Sequence, residues 1–173
     1  MPALWRNLMA GLLLLAISAG VRAAESVPEY ELKAAFLYNF ALFTDWPEKP
    51  RTSLVLCLYG KDHFGAAVGS IEGKPVKNAS IRIRRPDSLA QLRGCHMLFI
   101  ADSELHQLRE ILGAVTGAPV LTVMDSRGAG RAGAMINLVL VEQRVTFEIN
   151  TAAVQAAGLG ISSKLLRLAH ALY

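Results

Sequence analysis

The residues of this 173-residue chain that could carry catalytic chemistry are four histidines, two cysteines, a few carboxylates and one glycine-rich stretch. Their spacing argues against an enzyme. His63, His96, His106 and His170 contain no pair at zinc-ligand spacing and no H-E-x-x-H, so each reads as a surface or capping residue. Ser162-Ser163-Lys164 brings its lysine too early for an S-x-x-K box, and a helix cap explains it better. There is no G-x-S-x-G nucleophile elbow. Asp102, Asp125, Glu142 and Glu148 fall near expected strand ends, but nothing pairs them as acid and base. No catalytic residue, metal ligand or cofactor is assigned.

Binding chemistry is better represented. In Asp125–Gly133 (DSRGAGRAG), Gly128, Gly130 and Gly133 free the backbone to curl into an anion-binding nest, and Arg127 and Arg131 add charge. The residues Arg127, Gly130 and Arg131 are therefore candidate ligand contacts. The alternative is a mobile loop that merely enters a hairpin. Tyr30, Phe36, Tyr38, Phe40, Phe43 and Trp46 form an aromatic cluster wider than one core face needs, which suggests an apolar contact surface for a partner or a second copy.

These residues need elements to position them. Ser26-Val27-Pro28-Glu29 has the capping-box pattern, and the helix it opens runs to about Thr44 with Leu32, Phe36, Phe40 and Phe43 on one face. Trp46-Pro47 ends it. Ser53–Tyr59, His96–Ile100 and Val120–Val123 are continuous apolar runs, read as strands buried on both faces. Ser80–Arg84 alternates, with Ile81 and Ile83 pointing one way and Arg82 and Arg84 the other, as in a half-exposed strand. Short helices are expected around His63–Val68 and Ser88–Arg93. A longer one follows Ser103, from Glu104 to about Leu112, with Leu105, Leu108, Ile111 and Leu112 inward. Met135–Val141 and Arg144–Ile149 flank Glu142-Gln143 as an antiparallel hairpin. Thr151 starts a helix that Gly158 stops, and Ser162 caps a last helix over Ser163–Leu172. The expected fold class is α/β: one domain, a mixed sheet with helices on both faces, and a C-terminal hairpin followed by helices.

Compartment follows from the first two dozen residues. One early cation, Arg6, precedes an apolar run from Leu8 to Ala19 of about a dozen residues, short of the ~20 a spanning helix needs. Val21 and Ala23 have cleavage-site spacing. Residues 1–23 read as a secretory signal peptide and 24–173 as the mature domain, outside the cytoplasm; an uncleaved N-terminal anchor is the alternative. Of 18 lysines and arginines, Arg6 and Arg22 leave with the signal. Sixteen cations then face 14 acids, and the net charge falls from +4 to +2. So small an excess, in that compartment, argues against a nucleic-acid partner. Cys57 and Cys95 have no CxxC neighbour. In an oxidising compartment they form either one structural disulfide or two buried thiols. A bridge closing a loop of about 38 residues would stabilise by roughly 4 kcal/mol in the chain-entropy model.

Three segments together resemble the YfiR family of periplasmic regulators. From Glu29 the chain reads E-x-x-x-K-A-A-F-L-x-N-F-A-x-F-x-x-W-P to Pro47. A hairpin after Gly133 ends in R-V-T-F-E-I-N at Asn150. Gly158–Ala169 reads G-L-x-I-S-S-K-L-L-R-L-A. The resemblance covers nearly the whole mature chain in order.

What the resemblance implies is a non-catalytic α/β protein, usually dimeric, that restrains a membrane-anchored diguanylate cyclase by binding its periplasmic sensor domain; some relatives accompany sensor histidine kinases. It implies that Cys57 and Cys95 are the family's bridging pair. Glu148 and Asn150 match the polar positions of the F-E-x-N motif, with Glu148 on the face of Thr146 and opposite Phe147 and Ile149. Expected partner contacts are Phe36, Phe40, Trp46, Ile136, Glu148 and Asn150. Gly130 and Asn137 stand where some members carry a second pair of cysteines, so a looser loop is expected here. The alternative function is a small-anion sensor built on the Arg127–Gly133 loop.

Overall fold

The computed structural model describes residues 28–50 and 52–173. The expected leader and the Ser26-Val27 end of the capping box lie outside the described residues. Helix α1 (Glu29–Phe43) opens behind Pro28, which makes no side-chain cap. Then come β1 (Thr44–Asp45), β2 (Ser53–Tyr59), β3 (Pro75–Val76), β4 (Ala79–Arg84), β5 (Met97–Ile100), α2 (Leu108–Val115), β6 (Leu121–Met124), β7 (Ile136–Val141), β8 (Arg144–Ile149), α3 (Thr151–Ala156), β9 (Gly160–Ile161), α4 (Ser163–Leu166) and β10 (Ala171–Leu172). Three 3-10 helices, Ala67–Ile71, Leu89–Gly94 and Asp102–Gln107, complete the connections.

Eight strands form one mixed sheet in the order β10-β8-β7-β6-β5-β2-β4-β3, while β1 and β9 pair apart from it. The run β4-β2-β5-β6-β7 is parallel. The apolar runs occupy its centre because a parallel strand is covered on both faces: every residue of β5 and of β6 is buried. The antiparallel β7–β8 pair closes over Glu142-Gln143, both at positive φ (48° and 62°), the two-residue geometry that matches strand twist. On one face, α1, α4 and Ala67–Ile71 help bury Leu37, Phe40, Leu56, Phe99 and Phe147. On the other, α2 and Leu89–Gly94 cover Leu98, Ile100 and the Cys57–Cys95 disulfide (Cα–Cα 5.9 Å).

Several local expectations need correcting. The inward face of α1 is Lys33, Ala34, Leu37, Phe40 and Ala41, while Leu32, Phe36 and Phe43 are half-buried. The helix is apolar almost all round, so no narrow stripe selects a face, and the two alanines let it sit close to the sheet. The turn around His63 is irregular, and a 3-10 helix starts only at Ala67. Ser103 does not cap a helix: its hydroxyl accepts from the Lys61 amide, a 3-10 turn intervenes, and α2 begins at Leu108, leaving Leu105 exposed. Ser162 does cap α4, accepting from the Lys164 amide, but the helix lasts one turn. The chain then extends as β10, where the His170 and Tyr173 amides donate to Phe147 and Ile149 carbonyls. The open side of β8 gives these backbone groups partners that an unpaired strand edge would otherwise leave to solvent.

Candidate functional site

The hairpin carries the first group of candidates. Its parity turns Phe147 and Ile149 into the core and Glu148 and Thr146 to the opposite face. Glu148 is half-buried, directly across from Asn137 of β7. Above this pair lies Gly130: a Cβ built there would meet the Tyr173 ring at 3.3 Å, a Glu148 carboxylate oxygen at 3.6 Å and the Asn137 Cβ at 3.7 Å. Asn150 is the N-cap of α3, its Oδ1 accepting from the Ala153 amide, and its Nδ2 donates to the Gly130 carbonyl at 3.1 Å. Asn137 is wholly buried with neither amide atom hydrogen-bonded. Glu148, Asn150, Asn137 and Tyr173 are thus gathered around Gly130, with the Asn150–Gly130 hydrogen bond tying the loop to the hairpin.

The glycine-rich loop has a topological explanation. β6 and β7 are parallel neighbours, and parallel strands need a crossover, usually a helix. Only the eleven residues between Met124 and Ile136 are available. The chain therefore crosses in tight turns, with Gly128 and Gly133 at positive φ (80° and 112°) and Ala129 and Ala134 pressed into the core. Amides of Ala129, Ala132, Gly133 and Ala134 donate to carbonyls of the loop itself. Gly130 is buried, Arg127 and Arg131 point to solvent, and Arg131 lies over the Tyr173 ring. Four amides of the stretch, those of Ala129, Ala132, Gly133 and Ala134, thus hold the crossover together and are not available to an anion.

Three of the expected contact residues are core. Phe40 and Ile136 are fully buried, Phe40 edge-on to Phe147. Trp46 is buried, and its indole N–H donates to the His96 carbonyl. None of the three faces solvent. Phe36 is half-buried against Phe147.

A second polar cluster went unread in the sequence. In the order β4-β2-β5-β6-β7 the chain reverses direction across the sheet between β2 and β5, and the carboxyl ends of strands beside such a reversal form a crevice. Gly60 (φ 92°) lets the end of β2 close on the next turn, since a Cβ there would strike Ser103 and Glu104. At this end Lys33 of α1 bonds Asp125 at 2.7 Å and also pairs with Glu29. The Lys33 and Asp125 side chains are each 8% exposed. Burial by itself pushes the Lys33 ammonium down, but its hydrogen bonds to Asp125 and Glu29 outweigh this and hold it above the usual lysine range. The Lys33 ammonium lies 4.5 Å from the centre of the Tyr30 ring. Tyr30 in turn stacks on His63, whose Nε2 is 3.3 Å from Asp102. Beside them Asp62 caps Phe64 and Gly65 and pairs with Arg85. Burial raises its pKa, but the Arg85 and backbone hydrogen bonds lower it further. The legible signal was one lysine in an apolar helix, four residues after Glu29. Among the described residues no group of three His, Cys, Asp or Glu is placed to hold a metal.

The fold resembles solved structures at low identity. A conserved domain protein from Vibrio cholerae matches 84% of this chain with a TM-score of 0.54 and 9% identity. The ABC domain in complex with L-Trp from Streptococcus pneumonia matches 71% with a TM-score of 0.48 and 9% identity. The chain spans 60% and 55% of those two chains respectively. The family is set by sequence: residues 30–170 match the YfiR/HmsC-like family, and the chain belongs to it.

Proposed function

We propose that this chain is a periplasmic, non-catalytic regulator that binds the periplasmic sensor domain of a membrane-anchored diguanylate cyclase, or of a sensor histidine kinase, and holds it in its inactive state. Family membership supports periplasmic regulation of cyclic di-GMP signalling in general. The disulfide fits that compartment, as does the lack, among the described residues, of any helix long and apolar enough to cross a membrane.

One observation carries the reading to a surface. Among the described residues, four of the five large hydrophobics left exposed lie at one edge of the sheet: Leu140 (66%) near the hairpin tip, Leu168 (62%) just before β10, and Leu172 and Tyr173 on and after it. Glu148 lies near Tyr173, on the face of the hairpin opposite Leu140, Asn150 follows at the end of β8, and the half-buried Phe36 packs on Phe147. An apolar patch rimmed by polar groups is how contact surfaces are built. Phe40, packed on Phe147, and Ile136, paired with Ile149, support this edge from beneath, whereas Trp46 lies against His96 toward the β2–β3 side of the sheet. The homodimer expected from the resemblance would use the same edge, and sedimentation velocity of the mature protein tests it.

Tagged mature protein should recover a cyclase or a sensor kinase from detergent-solubilised membranes, identified by mass spectrometry. Leu140→Glu should lose that partner while its melting temperature stays near wild type. Glu148→Lys should weaken recovery at least tenfold, about 1.4 kcal/mol. Glu148→Gln keeps the shape around Gly130 and separates charge from packing. Recovery of nothing by a folded bait, or undiminished recovery by Leu140→Glu, defeats the proposal.

A further inference from the structure

We propose that the opposite, arginine-bearing edge of the sheet is a landing surface for anionic phospholipid headgroups. The proposal rests on the reading above only in placing the chain beside a membrane. Along β4, Ile81 and Ile83 turn toward the core while Arg82 and Arg84 are exposed on the other face. Residues two apart on a strand stand ~6.6 Å apart. β3 pairs only as far as Ser80, so the arginines lie beyond the last paired strand.

A third cation adjoins them. The Arg84 guanidinium approaches to 3.3 Å of where a Cβ on Gly94 would stand, and exposed Arg93 precedes that glycine. Arg93 donates to the Ala114 carbonyl, which leaves its charge uncompensated. Arg85 is neutralised by Asp62; Asp87, bonded by the Gln91 amide, and Glu72, which accepts from the Ile83 amide, keep their charges, so three arginines face two carboxylates along this edge. Among the described residues, Arg82, Arg84 and Arg93 make no ion pair.

The chemistry favours lipid over an acidic protein. Protein interfaces are anchored by a buried aromatic or aliphatic side chain. None of the large exposed hydrophobics, Leu105, Leu140, Leu168, Leu172 and Tyr173, lies on β4 or Leu89–Gly94. A headgroup surface needs no anchor, only cations brought within a Debye length. The cationic edge and the apolar edge are six strand spacings apart, ~29 Å. One edge can thus rest on a membrane while the other holds a protein.

Each arginine brought to an anionic surface multiplies binding by about fivefold, so reversing two should remove at least ~25-fold. The test is co-sedimentation of the mature protein with phosphatidylglycerol/phosphatidylcholine vesicles and with phosphatidylcholine alone. Binding should need the anionic lipid, fall with added salt and be lost in R82E/R84E, whose circular dichroism and melting temperature should be unchanged. Leu140→Glu should still bind vesicles while losing the protein partner, which keeps failure of the two readings apart. Equal partition onto neutral vesicles, or undiminished binding by R82E/R84E, overturns the proposal. So does charge-dependent binding to a soluble acidic polypeptide without binding to anionic vesicles.

Discussion

Lys33→Met should be the most damaging conservative change in the first helix. Methionine keeps the length and apolar stem of lysine and has good helix propensity, so the perturbation is essentially the loss of one charge. That charge is the partner of Asp125, and both side chains are only 8% exposed. Glu29, the remaining neighbour, is itself an acid and cannot substitute. Removing one member of a buried pair costs ~3–5 kcal/mol, because the other is left desolvated and uncompensated. For a domain of ordinary stability, ~5–15 kcal/mol, that is a large share. Urea unfolding with linear extrapolation should move the midpoint by about 2 M for a slope near 2 kcal/mol/M. K33M/D125N removes both charges and should recover most of the loss. The pair also predicts a pH window. The folded-state pKa of Lys33 is raised, so its contribution is complete below the unfolded value of about 10.4 and fades as pH rises through the folded one. A Lys33→Met protein within about 1 kcal/mol of wild type, or a double variant no more stable than the single, would refute the account of this pair.

Two further outcomes are expected. His96 is held below the ordinary histidine range by burial, and its Nδ1 accepts from the Val55 amide. The unfolded chain therefore binds a proton first, so stability should fall as pH drops below about 6.5; His96→Asn, which offers an oxygen to the same amide, should flatten that part of the melting-temperature profile, and an unchanged slope would remove His96 as its cause. The double variant G130C/N137C should form a disulfide, since the two Cβ positions lie 3.7 Å apart, within the range disulfides require. Titration of free thiols after oxidative refolding checks it; two persistent thiols would mean that the loop does not hold Gly130 over β7.

The parallel core was legible because burial on both faces leaves a local mark: an unbroken apolar run such as Ser53–Tyr59 or Met97–Ile100 fits little else. The β7–β8 hairpin was legible through an apolar run and an alternating one with two residues between. What escaped depends on distant chain. β10 exists only because β8 has an open side, and nothing in Ala171-Leu172 announces a strand. The turns of Asp125–Gly133 look like an anion nest until the parallel pairing of β6 with β7 shows that eleven residues must cross without a helix. The face of α1 was misread because an all-round apolar helix carries no periodic signal, and the lysine it buries is explained only by an aspartate 92 residues away. Among the candidate site residues, the F-E-x-N motif singles out Glu148 and Asn150, which the structure brings together at Gly130. Tyr173, which packs on both their strand and their loop, had no local signature.

On the proposed function the effect has to come from differential affinity, and the exposed edge can supply enough. Shifting a receptor between two states in a useful way takes a coupling of ~1–3 kcal/mol. Leu140 and Leu168 are each about two-thirds exposed (66% and 62%). Burying what remains of two such side chains is worth ~2–4 kcal/mol at the usual value per leucine. If the receptor presents a matching surface in one state only, those two contacts meet the requirement. The polar groups behind them then have a different task. Asn150 ties the crossover loop to α3, and Glu148 sits between that loop and Asn137, so the edge is held in one shape before a partner arrives. Preorganisation lowers the ordering cost of binding. Charge reversal at Glu148 should therefore weaken binding through the shape of the edge as well as through its charge, and Glu148→Gln, which preserves the first, measures how much belongs to the second.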